Sequence, residues 1–289
     1  MVQSQRRKTG LPVLNLFRLS TAIRHVILLV FSAAFILPFL WMIGTSLKSN
    51  KQILAYPPVW IPDPIQWSNY ADALDSVPFF RYAGNTATIC FFTITGALIS
   101  NVIVAYGFSC LQWKGRDTIF VLVLASLMLP YQVTMIPLFI LFSKLHWTNT
   151  FLPLTVPAFF GNAFYIFLIR QFFRGIPGDY LDAALLEGAS ELRILAQIIV
   201  PLARPVLITV GLFQFLFSWN DFLAPLLYLN DESKYTLSLG LANMQSVLGL
   251  SQFGQIMAVA TMTVAPVLIA FIVAQRFFIQ GIATAGLKG

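Results

Sequence analysis

Six long stretches of this 289-residue chain are free, or nearly free, of Lys, Arg, Asp and Glu, and they limit what it can fold into. They fall at about residues 25–47, 83–107, 118–142, 151–173, 205–230 and 253–275. Each is at least as long as the roughly 20 residues a helix needs to cross the hydrocarbon core. In lipid every amide and carbonyl must be satisfied within the protein, which leaves helices or closed barrels. Barrel strands are about half as long and alternate in polarity, whereas these runs are apolar all round. The expected fold is therefore an all-α integral membrane protein with six transmembrane helices. A composition of 58% hydrophobic and 10% charged residues is also outside the range of soluble domains.

Orientation follows from Lys and Arg in the segments between spans. One side collects Arg6, Arg7, Lys8, Arg18, Arg24, Lys114, Arg116, Arg170, Arg174, Arg193, Arg204, Arg276 and Lys288. The other has Lys48, Lys51, Arg81, Lys144 and Lys234, so both termini are expected in the cytoplasm. Residues 1–24 then form a cytoplasmic N-terminal segment, 174–204 a cytoplasmic loop and 276–289 a cytoplasmic tail. The net charge of +7 reflects this bias rather than nucleic-acid binding, for which a basic surface interleaved with aromatics is missing. The run Ile23–Leu47 is too long for a signal-peptide core, so it reads as a retained first helix. Cys90, Cys110, His25 and His146 show no disulfide or metal-ligand spacing.

Of the connections, Lys48–Tyr82 is the longest, and its five prolines with Trp60 and Trp67 suggest an ordered cap on the outer face. Apolar residues spaced through Asp231–Gln252 suggest a short amphipathic element on the same face. Pro130 and Pro137 mark the third span as kinked, a shape suited to lining a cavity or to gating.

The most informative polar segment is Asp179–Pro201. Asp179 and Asp182 sit where carboxylates oppose the positive end of a helix dipole. Leu181, Ala184, Leu185 and Gly188 share one narrow face. Gly188 ends or bends this helix, Ser190 is placed to cap a second, and Pro201 stops that one. The result is a helix–turn–helix knob. It either docks a protein partner or rests on the inner leaflet. A resting helix would be rich in Lys and Arg, yet residues 170–204 balance Arg170, Arg174, Arg193 and Arg204 against Asp179, Asp182, Glu187 and Glu191. That balance favours a protein partner, with Glu187 as a contact.

Asp221 is the one acid within an expected span, and at that depth it must face protein or water. Trp219, Asn220 and Asp221 together are candidates for the solute path, since tryptophan stacks on sugar faces and the amide and carboxylate bond hydroxyls. The alternative is that Asp221 is a structural cap near Pro225.

The segment Asp182-Ala183-Ala184, Gly188, Ile198 and Val200-Pro201 resembles the cytoplasmic signature of bacterial ABC importer permeases, with Asp for the usual Glu and Val for the usual Leu. Gln275–Gly281 and Ala285–Gly289 look like the ending of maltose-type carbohydrate permeases, specifically the shorter six-span subunit of the pair. Trp219–Phe222 and Tyr235–Leu237 are similar to the same group. The resemblance implies a type I ABC importer permease fold in the bacterial inner membrane. It implies that Asp182, Ala183, Ala184, Glu187, Gly188, Ile198 and Pro201 couple to an ATPase, and that Gln275, Arg276, Gly281 and Lys288 in the tail contact the same subunit. Implied partners are a second homologous permease, two ATPase subunits carrying ATP and Mg2+, and an extracytoplasmic solute-binding protein.

No phosphate-cradling G-x-x-x-x-G-K-[ST] loop occurs, so no cofactor is expected on this chain and the energy source must be another subunit. A nucleophile elbow or zinc His pair is equally lacking. The competing class is a membrane-embedded lipid-modifying enzyme in which Asp182 and Glu187 converge near the headgroups. A proton-coupled carrier would need more intramembrane acids than Asp221.

Overall fold

The computed structural model describes residues 12–286, and among them there is no strand. Four segments are long and apolar enough to cross a membrane without a sharp bend: Ile23–Ser46, Phe79–Ser109, Leu152–Phe173 and Phe253–Gln275. Two further segments qualify only as bent pairs, Arg116–Met128 with Tyr131–Lys144 at 94° and Glu191–Leu202 with Arg204–Asn220 at 81°. The helices used below are α1 (Pro12–Ser46), α2 (Ser68–Ser76), α3 (Phe79–Ser109), α4 (Arg116–Ala125) and α5 (Tyr131–Lys144). They continue as α6 (Ala163–Phe173), α7 (Asp179–Leu186), α8 (Glu191–Leu202), α9 (Arg204–Asn220), α10 (Leu223–Tyr228), α11 (Leu237–Leu248) and α12 (Phe253–Gly286).

The breaks have local causes. Pro130 lacks an amide hydrogen and forces Leu129 into an extended conformation, φ −80° and ψ 110°, which ends the first half of the third apolar run. A kink was expected there; the structure has a near right angle. The fourth run starts as two short turns, Leu152–Thr155 and Val156–Phe160. Gly161, with φ +86°, then separates these turns from α6, and Asn162 caps α6 by accepting the amides of Phe164 (3.0 Å) and Tyr165 (3.3 Å). The fifth run, expected to continue to residue 230, stops at Asn220. Asp221 is extended, and the chain resumes as α10.

At the centre stands α3, against which α6, α9 and the turn 156–160 pack. Small residues allow the approach: a Cβ on Gly96 would lie 2.6 Å from the Phe159 ring. By contrast α1 runs along α12 with the most apolar window of Ile23–Ser46 unburied.

The two ends differ. At one, the chain after α1 is clamped by Asn69, whose Nδ2 donates to the carbonyls of Ser46 and Lys48, both at 2.9 Å. Here α11 buries Leu237, Leu239, Gly240 and Met244, as an amphipathic element should. The connection before it is pinned to α3 by Tyr82 Oη donating to Glu232 (2.8 Å) and Asn85 Nδ2 donating to the carbonyls of Ser233 and Tyr235 (both 2.9 Å). Within that connection Asp231 accepts from Ser233, which holds its carboxyl below the usual range. At the opposite end lies the knob formed by α7 and α8.

Candidate functional site

In α7 the first-turn acids Asp179 and Asp182 are both exposed. The helix ends in two bonds, Gly188 N–H to the Leu185 carbonyl and Ala189 N–H to the Ala184 carbonyl, each 3.0 Å. This pairing needs a left-handed residue, and Gly188 supplies it at φ +77°. A Cβ on Gly188 would meet nothing within 4 Å, so the turn projects into open space. Ser190 occupies the cap position of α8 with extended backbone, but its hydroxyl makes no cap bond, contrary to the expected side-chain cap.

Pro201 does not stop α8. A π-helical turn at Leu195–Ile199 immediately precedes it, widening the helix where the proline ring would otherwise press on the preceding turn. The chain continues through Val200–Leu202 and turns only at buried Ala203, into α9.

The knob has two faces. Ala184, Ile194, Leu195 and Ile199 are buried in one cluster with Val102, Ala105 and Tyr106 of α3, Ile169 and Phe173 of α6, and Val206 and Val210 of α9. Ile198 and Pro201 are half-buried beside them. Asp182, Ala183, Glu187 and Gly188 face solvent together. Of the residues singled out from sequence, then, Ala184, Ile198 and Pro201 attach the knob, and the other four present it.

Three residues escaped the sequence reading. Leu186 and Leu192 are 90% and 76% exposed on either side of the Gly188 turn, an apolar pair next to the acids. Their sequence signal was two leucines bracketing a glycine turn. Tyr106 had no local signal: it lies on α3, and its hydroxyl donates to Glu191 Oε2 at 2.5 Å across 85 residues of sequence.

Beside the knob, buried Arg170 of α6 donates from Nε to the Phe108 carbonyl (3.0 Å) and from Nη2 to Asp117 Oδ1 (2.8 Å). Its guanidinium lies 3.9 Å from the centre of the Phe120 ring. Arg116 also bonds Asp117, from Nε at 3.3 Å. These contacts tie the turn between α3 and α4 to α6.

The solute-path candidates are not gathered on one surface. Trp219 is buried, its Nε1 donating to the Thr263 carbonyl of α12 at 3.0 Å and its ring against Phe215. Asn220 is exposed, with Nδ2 bonded to the Leu216 carbonyl (2.8 Å). Asp221 is half-buried and accepts the Ala224 amide (3.2 Å) at the start of α10. In the tail, Gln275 is exposed, Arg276 and Gly281 lie within the length of α12, and Lys288 is outside the described residues.

A family model described as binding-protein-dependent transport system inner membrane component matches residues 97–284. The arabinooligosaccharides transport system permease protein AraQ of Bacillus subtilis (strain 168) is 30% identical over 281 residues, covering 96% of this chain and 98% of that protein. The diacetylchitobiose uptake system permease protein NgcG of Streptomyces coelicolor is 33% identical over 258 residues, covering 88% and 85%. The sn-glycerol-3-phosphate transport system permease protein UgpE of Yersinia pestis is 27% identical over 265 residues, covering 89% and 94%. Among solved structures, a chain of a bacterial ABC transporter involved in the import of the acidic polysaccharide alginate superposes with a TM-score of 0.79. It is 24% identical, the match covers 96% of this chain and all of that one, and it carries the same fold, that of a type I ABC importer permease. None of these supports the lipid-modifying enzyme.

Proposed function

The chain belongs to the family of binding-protein-dependent transport system inner membrane components, and we propose that it carries a sugar or sugar-related solute into the cytoplasm, driven by ATP through its α7–α8 knob. It is a transport subunit of the inner membrane and not an enzyme. The sugar class follows the relatives, whose names specify arabinooligosaccharides, diacetylchitobiose and glycerol phosphate. On this reading six spans cross the bilayer with both termini in the cytoplasm, two of them as the bent pairs. A homologous permease completes the pathway, two ATPase subunits with ATP and Mg2+ bind below, and a solute-binding protein docks above.

The observation that carries the coupling role is the two-faced knob. Its inner face is continuous with the core of α3, α6 and α9, while its outer face offers Asp182, Glu187, Leu186 and Leu192 around a projecting glycine turn. A partner gripping that turn would move three helices with it. Grip must differ between nucleotide states, because equal affinity shifts no equilibrium. The α12 tail, with Gln275, Arg276, Gly281 and Lys288, is the second proposed ATPase contact.

For the solute path we retain Asn220 and Asp221. The unwound step at Asp221 is tolerated at membrane depth only in protein or against a water-filled cavity. Trp219 supports that step from behind, through Thr263, rather than offering its own ring face.

Gly188 gives the direct test. Asn tolerates positive φ, so Gly188→Asn should retain assembly, whereas Gly188→Trp places bulk in space that only a partner would fill. The expected result for Gly188→Trp is loss of ATPase co-purification or of solute-stimulated ATP hydrolysis with membrane insertion intact. Normal coupled uptake in that variant would refute the lever.

A further inference from the structure

Lys48 follows α1 at the end away from the knob, and its side chain is 2% exposed. A lysine so enclosed by its neighbours ordinarily has a carboxylate beside it. Here, among the described residues, no acid lies within ion-pair distance. Its one close electronic partner is Trp41, whose ring centre lies 4.0 Å from Nζ. A ring face offsets part of the cost of removing the charge from water, but it offers no lone pair to the three N–H donors.

Both side chains line a cavity of about 150 Å³ together with Thr45, Gln52, Pro58 and Phe253. The Thr45 hydroxyl is buried there with no hydrogen-bond partner. An unpaired cation and an unpaired hydroxyl on one small cavity form a donor set without its acceptor. Burial lowers the Lys48 pKa, a shift that a bound anion would reverse.

The surroundings indicate where the acceptor comes from. Trp60 meets the Trp41 ring edge-on at 5.0 Å at this end of α1, and Trp67 follows Gln66, whose amide donates to the Leu47 carbonyl (2.9 Å). Tryptophan and lysine at the end of an apolar helix are the side chains of the headgroup level. The unburied apolar flank of α1 begins directly beside the cavity. A free phosphate would gain the cavity contacts alone, whereas a phosphate attached to acyl chains would also cover that flank.

We infer that the Lys48 cavity binds the phosphate of a membrane phospholipid, with Lys48 and Thr45 as donors and the acyl chains along α1. The inference rests on α1 being a membrane span and is independent of the ATPase coupling and of the solute.

The test uses the assembled transporter, purified in neutral detergent and compared with Lys48→Gln and Thr45→Val, the second removing a donor while preserving charge and shape. Bound phospholipid is counted by native mass spectrometry, and thermal unfolding is followed on adding phosphatidylglycerol or inorganic phosphate alone. The expected result is one phospholipid retained per copy of this chain in the wild type, lost in Lys48→Gln and reduced in Thr45→Val. Stabilisation by phosphatidylglycerol should shrink in the same order. Equal lipid counts in all three proteins would overturn the site. Stabilisation by inorganic phosphate with no retained lipid would overturn the lipid source. Should Lys48→Gln fail to assemble, Thr45→Val decides alone, and an unchanged count refutes the inference.

Discussion

Tyr106→Phe removes a single oxygen and leaves the ring in its buried place among Ala184, Ile194 and Leu195. What is lost is the one side-chain hydrogen bond between the α3 scaffold and the first residue of α8. A hydrogen bond to a charged group contributes about 1.5–3 kcal/mol. Glu191 is exposed and regains water when the hydroxyl goes, so the net loss falls to about 1 kcal/mol. At about 1.4 kcal/mol per factor of ten, that is roughly a fivefold change in how strongly the knob is held in its register. The assay is ATP hydrolysis by the transporter in nanodiscs, with and without the loaded solute-binding protein. The ratio of stimulated to unstimulated rate should fall by up to about fivefold, with assembly retained. Ile194→Ala sets the scale: this side chain is 1% exposed, and truncating it costs about 2–5 kcal/mol, enough to lower the melting temperature and loosen the whole knob. An unchanged ratio in Tyr106→Phe, beside a collapsed one in Ile194→Ala, would show that the apolar seam alone fixes the register.

Two further expectations concern the scaffold and the pathway. Gly96→Ala puts a methyl 2.6 to 2.9 Å from three atoms of the Phe159 ring, including Cγ, so the whole ring must shift. The melting temperature of the assembled transporter should drop, by an amount corresponding to about 1–3 kcal/mol, and Phe159→Leu should recover part of it; additive losses would mean the contact is not the cause. Asp221→Asn keeps an oxygen for the Ala224 amide, so thermal stability should hold while uptake affinity weakens. Unchanged affinity would restrict Asp221 to capping α10.

Sequence reasoning recovered whatever depends on composition or local chemistry. Apolar run length marked the four segments long and apolar enough to cross a membrane, and the Gly188 turn and the acidic start of α7 were legible because glycine and first-turn carboxylates act within a few residues. It failed where geometry depends on distant contacts. A proline announces a break but not its angle, and neither the 94° at Pro130 nor the 81° at Ala203 has a local sequence signal. Ser190 fits the capping pattern, yet its hydroxyl makes no cap bond, and the side-chain tie at this helix start comes instead from Tyr106, far away in sequence, to the adjacent Glu191. Trp219 resembled a stacking surface because its only visible neighbours were polar; its actual partner, the Thr263 carbonyl, is 44 residues away.

The distribution of burial along the two bent pairs suggests how motion would divide on the importer reading. Ala203 at the α8–α9 turn is fully buried although Leu202 and Arg204 beside it are exposed, and Ile199, Val206 and Val210 on either side lie in the same cluster. A bend so packed transmits rotation rather than absorbing it, since close-packed interiors transmit strain. The α4–α5 bend is the opposite case: in these two helices only Phe120 and Phe142 are buried, and residues 125–133 around the break are exposed. Few contacts oppose a change of angle there. Force applied at Gly188 would therefore move α3, α6, α8 and α9 as one body, and Leu129–Pro130 is where the chain is least constrained from flexing in response. On that reading the same proline that breaks the apolar run places compliance within the third span, while the buried seam around Ala203 keeps the handle stiff.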